Sequence, residues 1–124
     1  MPLYRCMSPE ESLTSEGREN IAKAITEIHC DVTGAPTTFV HVFFLDPEGG
    51  EQHRVLGSIR AGRTEEQRAA IHRRIAEAYA GQVGVSPDAI SVSTMDIPSK
   101  WTMEGGSLLP EPGEEEEWLA AHSS

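Results

Sequence analysis

Apolar residues recur at helical spacing in the first third of the chain. Their separations of four, three and four positions place them on one face of a helix. They are Ile21, Ile25, Ile28 and Val32. Thr14 is suited to cap the start of this helix, and Gly34 followed by Pro36 is typical of its end.

A second helix is predicted by the same kind of pattern. The face expected to be buried comprises Ile71, Ile75 and Ala78, and it ends at the Gln82/Val83 position. Thr64 and Gln67 have the spacing of a capping box at its start. Gly84 and Pro87 are expected to end it.

Four segments have the composition of strands, and they flank the two helices. They are residues 2–7, 38–45, 53–60 and 89–95. Segment 38–45 is apolar on both faces, with Val40, Val42 and Phe44 on one and Phe39, Phe43 and Leu45 on the other. Such a strand is expected to be covered on both sides. Two helices cover only one face of a sheet, so we expect another subunit on the other face; the alternative is an aromatic edge patch inside a monomer.

These elements form one unit that occurs twice, offset by 50 residues. Ser8, Thr14, Glu16, Arg18, Ile21, Ile25, Glu27, Gly34, Val42 and Asp46 recur as Ser58, Thr64, Glu66, Arg68, Ile71, Ile75, Glu77, Gly84, Val92 and Asp96. The pattern predicts an α+β fold in which duplicated β-α-β units form a four-stranded mixed sheet with two helices on one face. Residues 1–124 are interpreted as one domain with repeats at about 2–50 and 52–106. Residues 107–124 are expected to form an extended arm that packs on a neighbour through its leucines and Trp118.

Composition and charge restrict the classes of function. The 124 residues are the size of one domain, and a net charge of −10 argues against nucleic acid or anionic membrane as a partner. Cys6 and Cys30 have neither metal-ligand spacing nor a disulfide framework, so we expect reduced thiols. The first fifteen residues lack the apolar core of a secretory signal, and the longest apolar stretch, residues 39–45, is too short to span a bilayer. We therefore expect a cytoplasmic protein.

Pro2 is the first candidate for chemistry. If the initiator Met1 is removed, the nitrogen of Pro2 becomes a free secondary amine, whereas an internal proline nitrogen is an amide without basicity. A rigid amine of this kind can act as a general acid or base near neutral pH. Many chains begin with Met-Pro without functional reason, so the remaining residues must support this hypothesis.

Two arginines precede the second predicted helix. Arg60 and Arg63 lie between a strand and the cap Thr64, where a helix N-terminus offers free N–H groups. Two guanidiniums at this point would bind a carboxylate and would lower the pKa of a nearby Pro2 amine. The alternative is a pair of solvated arginines at a strand end.

His29 and Glu104 are weaker candidates. His29 borders the apolar face of the first helix, so it is either a group that faces a cavity or a half-buried helical histidine. Glu104 precedes a Gly-Gly pair and is either a surface residue or a carboxylate that activates water. No histidine pair has metal-ligand spacing, and no glycine-rich phosphate loop is present, so neither a metal nor another cofactor is expected.

Taken together, these features resemble the tautomerase superfamily. The N-terminal Pro2, the duplicated unit and residues 62–68 at the opening of the second helix are similar to the 4-oxalocrotonate tautomerase group. Within the superfamily, the chain resembles most the cis-3-chloroacrylic acid dehalogenase group, whose halves are fused. The matching stretches are residues 22–29, Thr33-Gly34, Arg60-x-Gly62-Arg63 and Leu109-Pro110-x-Pro112-Gly113-x-x-x-x-Trp118.

The resemblance implies an α+β subunit in a homotrimer, with a pocket around the N-terminal proline. It makes Pro2 the acid/base and assigns the substrate carboxylate to Arg60 and Arg63. His29 would be a supporting polar group, and Glu104 the carboxylate that activates water. Where the dehalogenase has a tyrosine in the last long strand, this chain has Ser93, which disfavours hydrolytic dehalogenation and leaves the machinery for tautomerisation intact.

Three hypotheses of function follow. The first is a cofactor-free tautomerase of 2-keto or 2-hydroxy carboxylates such as phenylpyruvate, with Pro2 as acid/base. The second is a hydrolytic dehalogenase of a cis-3-haloacrylate that uses Glu104 and His29 on water. The third is an interaction protein that keeps the fold without catalysis. Replacement of Pro2 separates the third from the other two.

Overall fold

Two β-α-β units follow one another along the chain and are joined into one sheet. The computed structural model describes residues 2–9, 12–45, 52–104, 106–108 and 114–122, with only the backbone of Glu104, Glu115, Trp118 and His122. The first unit contains β1 (Leu3–Met7), α1 (Ser15–Thr33) and β2 (His41–Leu45), and the second contains β3 (His53–Arg60), α2 (Glu65–Val83) and β4 (Ile90–Ile97). A short hairpin, β5 (Met103–Glu104) and β6 (Ser107–Leu108), precedes α3 (Glu115–His122).

The two units repeat with the offset that the sequence predicts. Both helix bounds shift by 50, from 15 to 65 and from 33 to 83, and the 3₁₀ turns Thr37–Phe39 and Pro87–Ala89 shift equally. Gly34 and Gly84 end their helices in the left-handed region with the same φ of 76°. The predicted duplication is therefore confirmed.

The four long strands form a mixed sheet in the order β2-β1-β3-β4. Each unit contributes a parallel pair, β1 with β2 and β3 with β4, and the antiparallel pair β1 and β3 joins the units. The apolar faces of α1 and α2 pack with the inward residues of β1 and β3 in one core. The predicted fold class is confirmed.

Local capping explains where both helices begin. The Thr14 side chain accepts a hydrogen bond from Gly17 N at 2.9 Å. At α2 the Thr64 side chain accepts from Gln67 N at 3.0 Å, and the Gln67 side chain accepts from Thr64 N at 2.9 Å. This reciprocal pair is the predicted capping box.

The buried residues of the helices agree with the predicted apolar faces except at the end of α2. The predicted Ile21, Ile25, Ile28, Ile71 and Ile75 are all buried. At the end of α2, however, Tyr79 is buried at 1% exposure, while the predicted Ala78 is only packed against the core. The predicted Gln82 is exposed, because a polar side chain at the end of a helix is more stable in water. Tyr79 can be buried because its hydroxyl has a polar partner there, the hydroxyl of Ser8.

Strand β2 is shorter than predicted and begins at His41 rather than at residue 38. Residues 37–39 form a 3₁₀ turn, and ladder pairing starts where His41 N donates to Pro2 O at 3.0 Å. Phe39 is consequently buried at 3% exposure. The prediction that it shares a face of the strand with Phe43 and Leu45 is therefore wrong. Phe43 and Leu45 lie on the open face of the sheet and are 55% and 48% exposed.

The C-terminal segment differs from the expected extended arm, because residues 115–122 form the helix α3. Glu, Leu and Ala are strong helix formers, which accounts for this difference. The expected packing of Leu109 and Trp118 on a neighbour falls outside the described residues and side chains. Within the part of the chain that the structure describes, no helix is both long and apolar enough to cross a membrane.

Candidate active site

Pro2 lies at the end of the sheet where β3 finishes. Its side chain is buried, and its carbonyl oxygen is held by the N–H of His41. Leu3 pairs with Ser58 in the antiparallel ladder, so the start of β1 lies beside the end of β3, which is Arg60. The sheet register therefore brings Pro2 and the arginine segment to the same edge.

Arg60 and Arg63 are both buried at this edge, with exposures of 2% and 8%. Gly62, with φ of 108°, makes the turn that carries the chain from β3 to the start of α2. Nη1 of Arg63 donates to Thr33 O at 3.4 Å, so its guanidinium lies against the negative end of α1. The alternative of two solvated arginines is therefore wrong.

His29 lies near the C-terminal end of α1 and is only 1% exposed, more deeply buried than the sequence indicated. Its Nδ1 is 2.8 Å from the hydroxyl oxygen of Tyr4. The two rings meet edge to face, with centroids 5.7 Å apart and planes inclined by 72°.

The electrostatic environment of His29 links it to the arginines. Its pKa is lowered to about 4, first by burial and then, in decreasing order, by the positive charges of Arg63, Arg60 and the N-terminal amino group. His29 is therefore neutral at physiological pH. The buried positive charge of the site comes from the guanidiniums and not from the imidazole.

Tyr4 is the residue of this site that sequence reasoning missed. It is fully buried, and burial raises the pKa of its hydroxyl while the nearby Arg63 acts in the opposite direction. A Cβ on Gly57 would lie 2.6 Å from Cε1 of Tyr4, so glycine is required for the ring to rest against β3. The available signal was the alternation of β1, which places Tyr4 on the same inward face as Cys6.

Two predicted site residues are not placed with this group. Ser93 is exposed and lies on the open face of the sheet, away from the helices. Its neighbour Thr94 faces the helices, since the Thr94 hydroxyl lies 2.8 Å from Nε2 of His72 in α2, and successive residues of a strand point to opposite faces. Glu104 pairs with Ser107 in the β5–β6 hairpin, and its side chain lies outside the description.

A cavity of about 530 Å³ lies at the other end of the sheet. Its lining residues are Gln52, His53, Val85, Asp88, Ala89 and Ser91. By the offset of 50, Gln52 corresponds to Pro2, Tyr79 to His29 and Leu13 to Arg63. This end therefore has neither the candidate amine nor the arginine at the helix start, and we place the candidate active site at the Pro2 end.

The described residues offer no group of three or more His, Cys, Asp or Glu side chains that could hold a metal ion. Pro2, His29, Arg60 and Arg63 lie at the same end of the sheet, and we take this group as the candidate site. Its components are two buried guanidiniums, a neutral imidazole and a buried phenol.

Solved structures of known proteins are similar to this chain over most of its length. A crystal structure of N1, a member of the cis-3-chloroacrylic acid dehalogenase family, is 31% identical, with a TM-score of 0.89 over 95% of this chain and 90% of that one. The crystal structure of native Ps01740 is 37% identical, with a TM-score of 0.77 over 82% of this chain and 99% of that one.

More distant structures share the fold. A fused 4-oxalocrotonate tautomerase, R7, which forms an asymmetric trimer, is 23% identical, with a TM-score of 0.75 over 86% of this chain and 94% of that one. No curated protein is significantly similar to the chain in sequence. The family model described as "Putative oxalocrotonate tautomerase enzyme" matches residues 1–122. The chain therefore belongs to this oxalocrotonate tautomerase family of the tautomerase superfamily, close to the cis-3-chloroacrylic acid dehalogenase group.

Proposed function

We propose that the protein is a cofactor-free tautomerase of 2-keto and 2-hydroxy carboxylates such as phenylpyruvate. The observation that carries this proposal is the burial of Arg60 and Arg63 beside a neutral His29, at the sheet edge where Pro2 begins β1. Membership of the oxalocrotonate tautomerase family supports the reaction class.

In the proposed reaction, removal of Met1 gives Pro2 a free secondary amine. The unprotonated nitrogen takes the proton of the enol hydroxyl, and the electron pair of that O–H bond stays on oxygen as an enolate. This pair forms the C=O double bond as the electrons of the C=C bond take the proton from Pro2 at the adjacent carbon. The amine is regenerated and the substrate is isomerised without a net gain or loss of atoms.

The arginines act on the anionic part of the substrate. Guanidiniums that are already desolvated bind a carboxylate strongly, in bidentate geometry, and stabilise charge that develops on the adjacent oxygen. His29, which is neutral, adds a hydrogen-bond donor without adding another positive charge. This division of roles agrees with the low pKa of His29.

The direct test is the ketonisation of the enol form of phenylpyruvate by purified protein without added cofactor, followed by ultraviolet absorbance. We expect many turnovers per chain above the buffer rate. The intact mass is measured on the same sample to establish the removal of Met1. Protein that begins at Pro2 and gives no acceleration with this or related 2-hydroxy-dienoates contradicts the proposal.

A second candidate function is the hydration of a cis-3-haloacrylate with loss of halide. The similarity to N1 over 95% of the chain favours it, and Ser93 in place of a tyrosine disfavours it. In that reaction protonated Pro2 donates to carbon, and Glu104 with His29 activates the attacking water.

The Glu104→Gln variant separates the two candidates. Because only hydration needs a base for water, we expect the variant to lose chloride release from cis-3-chloroacrylate, where the wild type shows any. Its kcat for tautomerisation should remain within about twofold of the wild type. Equal losses in the two assays would contradict this division of roles.

We also propose that three chains assemble through the open face of the sheet. Phe43, Leu45 and Met95 lie on this face with exposures of 55%, 48% and 55%, and large apolar side chains exposed together on one face favour a partner. Fused 4-oxalocrotonate tautomerases with the same fold form trimers. In such an assembly Ser93 faces a neighbouring chain rather than the pocket of its own chain.

Sedimentation tests this assembly. The wild-type protein is expected to sediment as a trimer at micromolar concentration, and Phe43→Asp should shift it toward monomer because a carboxylate cannot be buried unpaired at the interface. Val85→Asp is the control, since Val85 is 40% exposed but follows α2 instead of lying in the sheet. A stable wild-type monomer, or equal shifts in both variants, would argue against the proposed interface.

A further inference from the structure

Tyr4 and His29 form a buried pair whose protons can be assigned from the contacts of the structure. Both side chains are almost completely buried, at 0% and 1% exposure. Among the described residues, the one hydrogen-bond partner of the Tyr4 hydroxyl is Nδ1 of His29 at 2.8 Å. A buried phenol must donate its proton to an acceptor, because an O–H group without one carries the full cost of desolvation.

This requirement determines the state of the imidazole. If the hydroxyl donates, Nδ1 must carry a lone pair and no proton. Burial and the arginine charges keep His29 neutral, so a single ring proton remains, and it must be on Nε2. Tyr4 itself keeps its proton, since burial raises the pKa of its hydroxyl.

We propose that Tyr4 is a positioning residue: its hydroxyl donates to Nδ1 of His29 and fixes the imidazole as the Nε2–H tautomer. The Nε2–H group is then the donor that His29 offers to an oxygen atom of the substrate. This second step rests on the proposed function, whereas the assignment of the tautomer does not. Without Tyr4 the neutral ring would be free to exchange its proton between the two nitrogens, and part of the population would present a lone pair to the substrate.

The packing around the pair supports a fixed geometry. The Tyr4 ring lies against Gly57, where any Cβ would collide with it, and it meets the imidazole edge to face. The Tyr4 ring therefore has little room to move away from Nδ1. Tyr4 follows Pro2 by two residues at the start of β1, so the amine and the oriented imidazole belong to one end of the sheet.

The other half of the molecule provides a matched control. Tyr79 occupies the position of His29 in the second unit and is also a fully buried tyrosine, with its hydroxyl bonded to Ser8. Ser8 in turn lies 2.8 Å from Nδ1 of His53. Tyr79→Phe removes a buried phenol hydroxyl as Tyr4→Phe does, but at the end of the sheet that has no arginine pair.

The tautomer is measured on the wild-type protein with ¹⁵N-labelled histidine, by two-bond ¹H–¹⁵N correlation near neutral pH. The His29 signals are identified by their absence from the His29→Gln spectrum. We expect the pattern of a pure Nε2–H tautomer for His29 in the wild type and in Tyr79→Phe, and a mixture of tautomers in Tyr4→Phe. A wild-type Nδ1–H pattern, or an unchanged pure Nε2–H pattern in Tyr4→Phe, would overturn the inference.

Kinetics and stability complete the test. Tyr4→Phe should lower kcat for tautomerisation roughly tenfold, with KM changed less than about twofold, because the arginines still hold the carboxylate. Both variants should show similar shifts in the midpoint of urea unfolding, and Tyr79→Phe should keep the wild-type kcat. Equal loss of kcat in the two variants would show a merely structural role. If the wild type has no tautomerase activity, the proposed function fails, and the spectra still decide the tautomer.

Discussion

Pro2→Ala is expected to lower kcat for tautomerisation on the order of 10²-fold or more, the range supplied by a positioned general acid/base. Alanine at this position still permits removal of Met1, but it replaces a rigid secondary amine by a primary amine with free rotation. The fold should be retained, because the contact that anchors this residue uses its backbone carbonyl and the N–H of His41. Initial rates with the enol of phenylpyruvate and the intact mass of the variant are measured together.

A proline remote from the site serves as the control for this experiment. Pro87 begins the 3₁₀ turn before β4, where its nitrogen is an internal amide. Pro87→Ala should leave kcat unchanged. Pro2→Ala protein that lacks Met1 and keeps more than half of the wild-type kcat would show that the amine has no catalytic role. In that case the interaction-protein hypothesis becomes the better explanation of the fold.

Removal of either buried arginine is the second change with a large expected effect. Arg60→Ala and Arg63→Ala should each lower kcat/KM on the order of 10²-fold, equivalent to about 2.7 kcal/mol, with KM raised and kcat lowered. Both effects are expected because the guanidiniums hold the carboxylate in the ground state and stabilise developing charge in the transition state. Steady-state values of KM and kcat are measured for a carboxylate substrate and for its methyl ester. The difference between the two substrates reports how much of the effect depends on the carboxylate.

Arg74→Ala is the matched control, because it removes the same charge from a solvated position. Arg74 pairs with Asp31 at 2.7 Å on the surface, with side-chain exposures of 38% and 69%. An exposed pair of this kind contributes little, so kcat/KM should stay within about twofold of the wild type. If both buried-arginine variants behave like Arg74→Ala, the anion pocket is not where we place it. Loss of the preference for the carboxylate over the ester in Arg60→Ala and Arg63→Ala would support it.

Local sequence signals were sufficient for most of the architecture. The caps Thr14 and Thr64, the terminal glycines and the apolar spacing act within a few residues, so they predicted both helices and the duplication. The errors occurred where a short-range alternative competes with a strand or an extended chain. Residues 37–39 close a 3₁₀ turn before β2, and residues 115–122 form a helix from strong helix formers.

The candidate site was predictable in its residue types but not in its geometry. The sequence alone indicated Pro2, Arg60, Arg63 and His29 through their positions at strand and helix ends. Burial of both guanidiniums, the low pKa of His29 and the role of Tyr4 depend on which segments meet, and one-dimensional spacing does not contain that information.

Periodicity and capping thus determined which elements form, because their free energies come from neighbours along the chain. The antiparallel register of β1 and β3 decided where the candidate residues meet, since it brings the start of one unit beside the end of a strand in the other. The register treats the two ends of the duplicated sheet alike, so the residues at equivalent positions make these ends different. At one end an imidazole, a phenol and two guanidiniums are buried, and electrostatic interactions and hydrogen bonds are stronger there than in water. At the other end tyrosine and leucine occupy the positions of His29 and Arg63.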